Sequence, residues 1–143
     1  MAERKKIYWV AGLAAVACAF LFRPSVLRAQ DASGAYPNLS PAEARETIGK
    51  RSADPGFVLL DVRTPKEFGE ERIRGAVMVD YKSPSFRDEM AKLDRSKTYL
   101  VYCRTGHRTE GAAKVMRELG FKNVSLLADG ITGWKKAGFP TTR

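Results

Sequence analysis

Apolar residues cluster in this chain with a spacing that changes from one segment to the next. Ile7 to Phe22 is an unbroken run of 16 apolar or small residues, entered from Glu3-Arg4-Lys5-Lys6 and closed by Arg23-Pro24. Gln30 to Asn38 is small and polar, holds Gly34 and Pro37, and reads as a linker. Beyond it, solid apolar runs alternate with helical spacing. Ser40-Pro41-Ala42-Glu43 is a capping box with proline at the first helical position; Ala44 and Ile48 continue one face, and Gly49 predicts the end. Phe57-Val58-Leu59-Leu60 suits a strand buried on both faces, ended by Asp61-Val62-Arg63. Thr64-Pro65-Lys66-Glu67 then repeats the capping box, so a helical turn follows at once.

Ala76-Val77-Met78-Val79 predicts a second strand. Ser85 and Asp88 are expected to cap a helix carrying Phe86, Met90 and Leu93 at helical spacing. Tyr99-Leu100-Val101-Tyr102 predicts a third strand, with Cys103 at its C-terminal end. A helix is expected from about Thr109 to Leu119, its apolar side made of Ala112, Val115, Met116 and Leu119, with Gly120 as the cap. Val124 to Leu127 reads as a further strand. Ile131 to Ala137 reads as a closing helix, stopped by Gly138 and Pro140. This alternation predicts a single α/β domain over residues 38–143, a mainly parallel sheet with helices on both faces.

Residues 1–29 form a separate object, a hydrophobic leader helix ahead of the linker at 30–37. The apolar run is shorter than the about 20 residues of a membrane span and longer than the roughly 7 to 15 of a secretory h-region. Its basic flanks speak against a buried core helix. The expectation is export or membrane anchoring through residues 7–22, which places the domain in the periplasm or on a membrane facing the exterior. Ala29 is a usable cleavage residue although Leu27 is larger than ideal, and Ala15-Val16-Ala17-Cys18 resembles a lipobox that would lipidate Cys18.

Charge changes the picture only after it is divided. The chain carries +9, but five basic residues and one acidic residue lie before Gln30, leaving 20 basic against 15 acidic in the remainder. An excess of this size favours small anions. No basic run interleaved with aromatics follows Gln30, so nucleic acid is not an expected partner. There are two cysteines, Cys18 and Cys103, and only the second belongs to the domain. A disulfide framework is therefore excluded. His107 is the only histidine, which leaves too few soft ligands for a metal site.

The candidate chemistry lies at the carboxyl end of the third strand, where open α/β sheets bind ligands. Cys103-Arg104-Thr105-Gly106-His107-Arg108-Thr109 links that strand to the next helix. A thiol is a nucleophile as the thiolate, which a helix N-terminus and nearby cations stabilise. Arg104 and Arg108 supply cations, and Gly106 lets successive amides turn inward as an anion-binding nest.

The segment Cys103 to Arg108 resembles the active-site loop of the rhodanese family, in which cysteine opens six residues with glycine at the fourth. Asp61-Val62-Arg63, Glu67-Phe68 and Ile73-Arg74-Gly75-Ala76 resemble the family's first signature. Asp129-Gly130, Trp134 and Gly138-Phe139-Pro140 resemble its last, with Asp129 standing where paired glycines are usual, a departure expected to affect a turn more than the chemistry. The resemblance covers residues 38 to 142, and with its leader the chain also resembles small periplasmic sulfurtransferases. It implies a two-step reaction without metal or organic cofactor. Cys103 would take the outer sulfur of thiosulfate or a related anionic donor, release sulfite, and pass the sulfur from a persulfide to a thiol, or to cyanide. It further implies that the amides of Arg104, Thr105, Gly106, His107 and Arg108 hold the persulfide and that the two arginines attract the donor. Asp61 and Arg63 would support the loop at its base.

Two other readings fit parts of this pattern. A cysteine phosphatase or arsenate reductase needs arginine six positions after the cysteine; Thr109 stands there, and Arg108 is one position short. A sulfur-carrier or redox-sensing module would accept sulfur without fast turnover, and lacking a second domain cysteine it would need an outside thiol for repair. Oligomeric state is not read from this sequence.

Overall fold

Ser40 and Thr64 each accept from the backbone of the glutamate three residues on, and each glutamate reaches back to its cap, so both capping boxes form as their sequences predict. The helices they open are α1 (Pro41–Arg51) and α2 (Pro65–Glu70). The computed structural model describes residues 34–143; the expectations for the leader lie outside the described residues. Strands β1 (Asn38–Leu39), β2 (Phe57–Asp61), β3 (Val77–Met78), β4 (Thr98–Tyr102) and β5 (Val124–Leu127) form one sheet in the order β1-β5-β4-β2-β3. Every pairing is parallel. The remaining helices are α3 (Phe86–Ala91), α4 (His107–Glu118) and α5 (Gly130–Lys136).

Strand side chains alternate between two cores. Leu60, Val62, Tyr99, Val101, Cys103 and Leu126 pack with Phe86 and Met90 of α3 and with Ala112, Ala113 and Met116 of α4. Leu59, Leu100, Tyr102 and Leu127 pack with Ala44 of α1 and with Ile131 and Trp134 of α5. Helices thus cover both faces of a parallel sheet, as near-continuous apolar strands require. Trp134 and Phe139 belong to this packing, with ring centroids 5.0 Å apart and the indole N–H bonded to the Pro140 carbonyl.

Several boundaries differ from the sequence expectation, each for a local reason. The stretch read as linker enters the fold at its end: the Tyr36 hydroxyl donates to the Phe121 carbonyl, and Asn38–Leu39 pairs with Leu126–Leu127 as β1. A two-residue strand held by backbone bonds carries too little pattern to be seen. Helix α1 runs through Gly49 to Arg51, where Lys50 and Arg51 suit its carbonyl end and Arg51 bonds Asp54. The second predicted strand shortens to Val77–Met78, an edge strand that leaves Val77 half exposed. Ser85 occupies the N-cap of α3 but its hydroxyl bonds Glu89 and caps no amide. Helix α4 begins at His107, two residues before the expected start, with consequences for the site.

Candidate functional site

Cys103 follows β4 directly, and its side chain enters the core beneath α4, leaving the residue only 1% exposed. Gly106 then adopts φ 99°, a left-handed conformation that a side chain would strain. This turn aims the Gly106 N–H at Cys103 Sγ, to which it donates at 3.1 Å. Helix α4 starts at the next residue, so His107, Arg108 and Thr109 contribute its first amides, which have no carbonyl one turn behind them. The sulfur lies at the positive end of a 12-residue helix.

The loop carbonyls are disposed of by another element. The Cys103 carbonyl accepts from the Ile131 N–H at 2.9 Å and that of Arg104 from the Thr132 N–H at 3.0 Å. These acceptors are thereby turned outward onto α5. Such contact requires the backbones to touch: a Cβ on Gly130 would lie 2.4 Å from the Cys103 oxygen and 2.6 Å from the Arg104 carbonyl. Asp129 has φ 57° and Gly130 φ 56°. The departure from paired glycines therefore falls on the member of the pair that aspartate can occupy, and the position pressed against the loop keeps its glycine.

The structure brings all six residues of the segment together, but in unlike settings. Arg104, Thr105 and His107 are exposed around its mouth. Arg108 is not the free cation that the sequence suggested. Its two terminal nitrogens each donate at 2.7 Å to one carboxylate oxygen of Glu67, a two-pronged clamp between α4 and α2. Asp61 and Arg63 lie at the end of β2, where Asp61 is the register partner of Tyr102, the residue before Cys103. Their ion pair is buried, and Arg63 also donates to the Glu71 carbonyl that ends α2. Arg63 is thereby tied to the end of α2, the helix that carries Glu67.

Glu67 was named from the sequence in a capping box and in the stretch resembling the family's first signature, but was given no place at the site. The capping box already accounted for it, and its second partner lies 41 positions away. Hydrogen bonds from Arg108 hold its carboxyl far below the usual carboxylate range, with Thr64 adding to the effect and partial burial opposing it. Because the folded-state value is depressed, the clamp's contribution is fully present above the unfolded value of about 4.3 and fades as pH falls toward the folded one. Glu67→Gln preserves the capping box, in which glutamine also serves. Its expected cost is about 1–2 kcal/mol near neutrality, read by urea denaturation, and the gap to wild type should narrow steadily in acid. A gap that does not change with pH would remove the ion pair from this account.

Thr109 poses a smaller question. It is buried at the third position of α4, and its hydroxyl is the one buried side-chain polar atom without a partner among the described residues. Thr109→Val keeps the shape and removes that atom. Stability is expected to hold or to rise by up to about 1 kcal/mol, measured as the denaturation midpoint; a clear loss would mean that the hydroxyl is bonded in solution.

A parallel α/β sheet with a cysteine-headed amide loop at its carboxyl edge is an arrangement that can stabilise a thiolate or a bound anion. The match narrows it: residues 40–137 fit the model of the Rhodanese-like domain, and the chain belongs to the rhodanese family. It is 34% identical over 107 residues to the thiosulfate sulfurtransferase GlpE of Coxiella burnetii, covering 75% of this chain and 94% of that one. It is 30% identical over 111 residues to thiosulfate sulfurtransferase 16, chloroplastic, of Arabidopsis thaliana, covering 71% and 92%. Among solved structures, a rhodanese-related protein from Thermoplasma volcanium superimposes with a TM-score of 0.64 at 27% identity, covering 75% of this chain and 98% of that one. The chain spans only part of other relatives, 55% of the uncharacterized protein slr1261 of Synechocystis and 26% of the probable adenylyltransferase/sulfurtransferase MoeZ of Mycobacterium tuberculosis.

Proposed function

We propose that this protein is a sulfurtransferase that carries sulfane sulfur as a persulfide on Cys103. The Cys103 thiolate attacks the outer sulfur of thiosulfate or a similar donor. A new S–S bond forms as the bond to the sulfonate breaks, and its electron pair leaves on sulfite. A thiol then removes the sulfur and regenerates the thiolate. The observation that carries this reading is the Gly106 N–H on Sγ at the head of α4, with the neighbouring carbonyls bonded away to α5. Amide donors held in place before the reaction stabilise thiolate and persulfide anion alike. Relatives named thiosulfate sulfurtransferases support the same class.

Burial of Cys103 suits a slim terminal sulfur better than a bulky tetrahedral oxyanion. A structural neighbour from Rhodopseudomonas palustris, 26% identical with a TM-score of 0.57, is described as a possible tyrosine phosphatase. Here the residue six after the cysteine is Thr109, and Arg108 is spent on Glu67, so the arginine position that a phosphatase loop needs is not filled. The deciding experiment is intact mass after thiosulfate, before and after a reductant: a reducible gain of one sulfur atom is expected. The leader adds a location outside the cytoplasm, periplasmic or membrane-anchored. Sequencing the N-terminus of protein from cells reads it: a start at Gln30 means cleavage after Ala29, a blocked start at Cys18 means lipidation, and an intact leader means anchoring.

A further inference from the structure

We propose that Glu67 sets which anions the cysteine loop retains: by occupying the guanidinium fork of Arg108 it denies that fork to tetrahedral oxyanions, so that sulfite leaves once its sulfur has been taken. The part that concerns sulfite rests on the sulfurtransferase reading. The part that concerns oxyanions in general does not.

The geometry is that of an internal competitor. Arg108 is the second residue of α4 and stands two positions after Gly106, whose N–H contacts Cys103 Sγ. Its hydrogen bonds to Glu67 raise the already high pKa of the guanidinium, partial burial opposes this, and the negative charges of Cys103 and Asp61 add to it. The sulfur is thus within electrostatic reach of the fork. A planar guanidinium binds a sulfonate or phosphate edge through the same two parallel hydrogen bonds with which it binds a carboxylate. Here both terminal nitrogens already point at Glu67, at 2.7 Å each. Glu67 does not swing freely with its partner, because its Oε2 also accepts from the Thr64 N–H at 3.1 Å and from the Thr64 hydroxyl at 2.9 Å. The capping box of α2 therefore holds the competitor in place.

The pair is also better shielded than other ion pairs of the domain. The side chains of Arg108 and Glu67 are 16% and 26% exposed, against 52% and 33% for Lys135 and Glu71 and 54% and 43% for Arg87 and Glu118. Salt screens such a pair less, and an anion arriving from solution must displace a partner that is already seated.

The chemistry gives the arrangement a use. When the S–S bond of thiosulfate breaks, its electron pair leaves on sulfite, which is then beside the new persulfide. Sulfite retained there would attack the outer sulfur and re-form thiosulfate, returning the electron pair to Cys103. The first amides of α4 suffice for a slim sulfur anion. A two-pronged cation beside them would add grip on the three-oxygen leaving group, and binding donor and product more tightly does not by itself speed turnover.

The test titrates the full chain, as wild type, Glu67→Gln and the double variant Glu67→Gln/Arg108→Ala, with sulfate at constant ionic strength by calorimetry. Sulfate is a tetrahedral oxyanion that accepts no sulfur. Glutamine keeps the capping box but offers the fork one uncharged acceptor. Glu67→Gln should bind sulfate about tenfold tighter than wild type, the size of effect that a charge-assisted hydrogen bond supplies. The double variant should return to the wild-type affinity. In turnover with thiosulfate and cyanide, Glu67→Gln should show a lower KM for thiosulfate together with a lower kcat, a pairing that lost stability alone does not produce. Equal sulfate affinity in wild type and Glu67→Gln, or a gain that survives the removal of Arg108, overturns the inference alone. A raised KM does the same, since Glu67 would then be turning Arg108 toward the donor. No sulfur uptake by the wild type overturns the sulfurtransferase reading and the account of sulfite release, and the sulfate titration still decides the oxyanion selectivity.

Discussion

Cys103→Ser is expected to abolish sulfur uptake while leaving the fold in place. The wild-type protein should gain one reducible sulfur after thiosulfate and the variant none, because a hydroxyl cannot form a persulfide. The loss should be complete and not graded, since in the proposed mechanism the residue is the nucleophile itself. Stability should stay within about 1 kcal/mol of wild type, because serine keeps the shape and can still accept from the Gly106 N–H. Denaturation curves run beside the mass measurement separate the two effects. Sulfur uptake by a folded Cys103→Ser protein would sink the persulfide mechanism.

The second large effect belongs to a residue that touches no substrate. Gly130→Ala should both destabilise the domain and disable the loop. Its Cβ would lie within 2.6 Å of the Cys103 and Arg104 carbonyls, and φ is 56°, where a side chain is strained. Left-handed strain and overpacking together come to about 2–4 kcal/mol. The backbone can relieve the overlap only by lengthening the Ile131 and Thr132 hydrogen bonds, which frees two carbonyls to rotate toward the sulfur. An acceptor facing a thiolate removes what the amides supply. The expected result is a lowered denaturation midpoint together with slowed sulfur uptake in the fraction that remains folded. Gly69→Ala is the control: its φ is not left-handed, a Cβ there meets nothing within 4 Å, and neither quantity should move. Wild-type uptake by Gly130→Ala would show that α5 does not hold the loop in its working shape.

Much of the architecture was legible before any coordinates. Both capping boxes, the buried runs of β2, β4 and β5 and the placement of Cys103 at a strand end follow from local chemistry: cap residues, proline, periodicity. Where the expectation slipped, the cause was an interaction between distant segments. β1 exists only because Leu126 and Leu127 are there to pair with it, and α1 passes Gly49 because its last turn is fastened at Asp54. The start of α4 shows the same limit at the site. Gly106 was legible as a bend, but the register in which His107 and Arg108 become the first helical turn depends on the α5 amides that hold the preceding carbonyls.

What the sequence determined by itself is the candidate nucleophile, the residue types around it and the α/β frame, since each depends on neighbours within one helical turn or one strand. What only the tertiary structure decided is how the charges are used. Arg108 and Glu67 are 41 positions apart, and neither pattern nor spacing says that each consumes the other. Composition showed two arginines in the loop; the fold spends Arg108 on Glu67 and leaves Arg104 exposed. Ion pairs form between side chains that the chain's path brings together, so the free charge at a site is a property of the fold and not of the segment that carries the site.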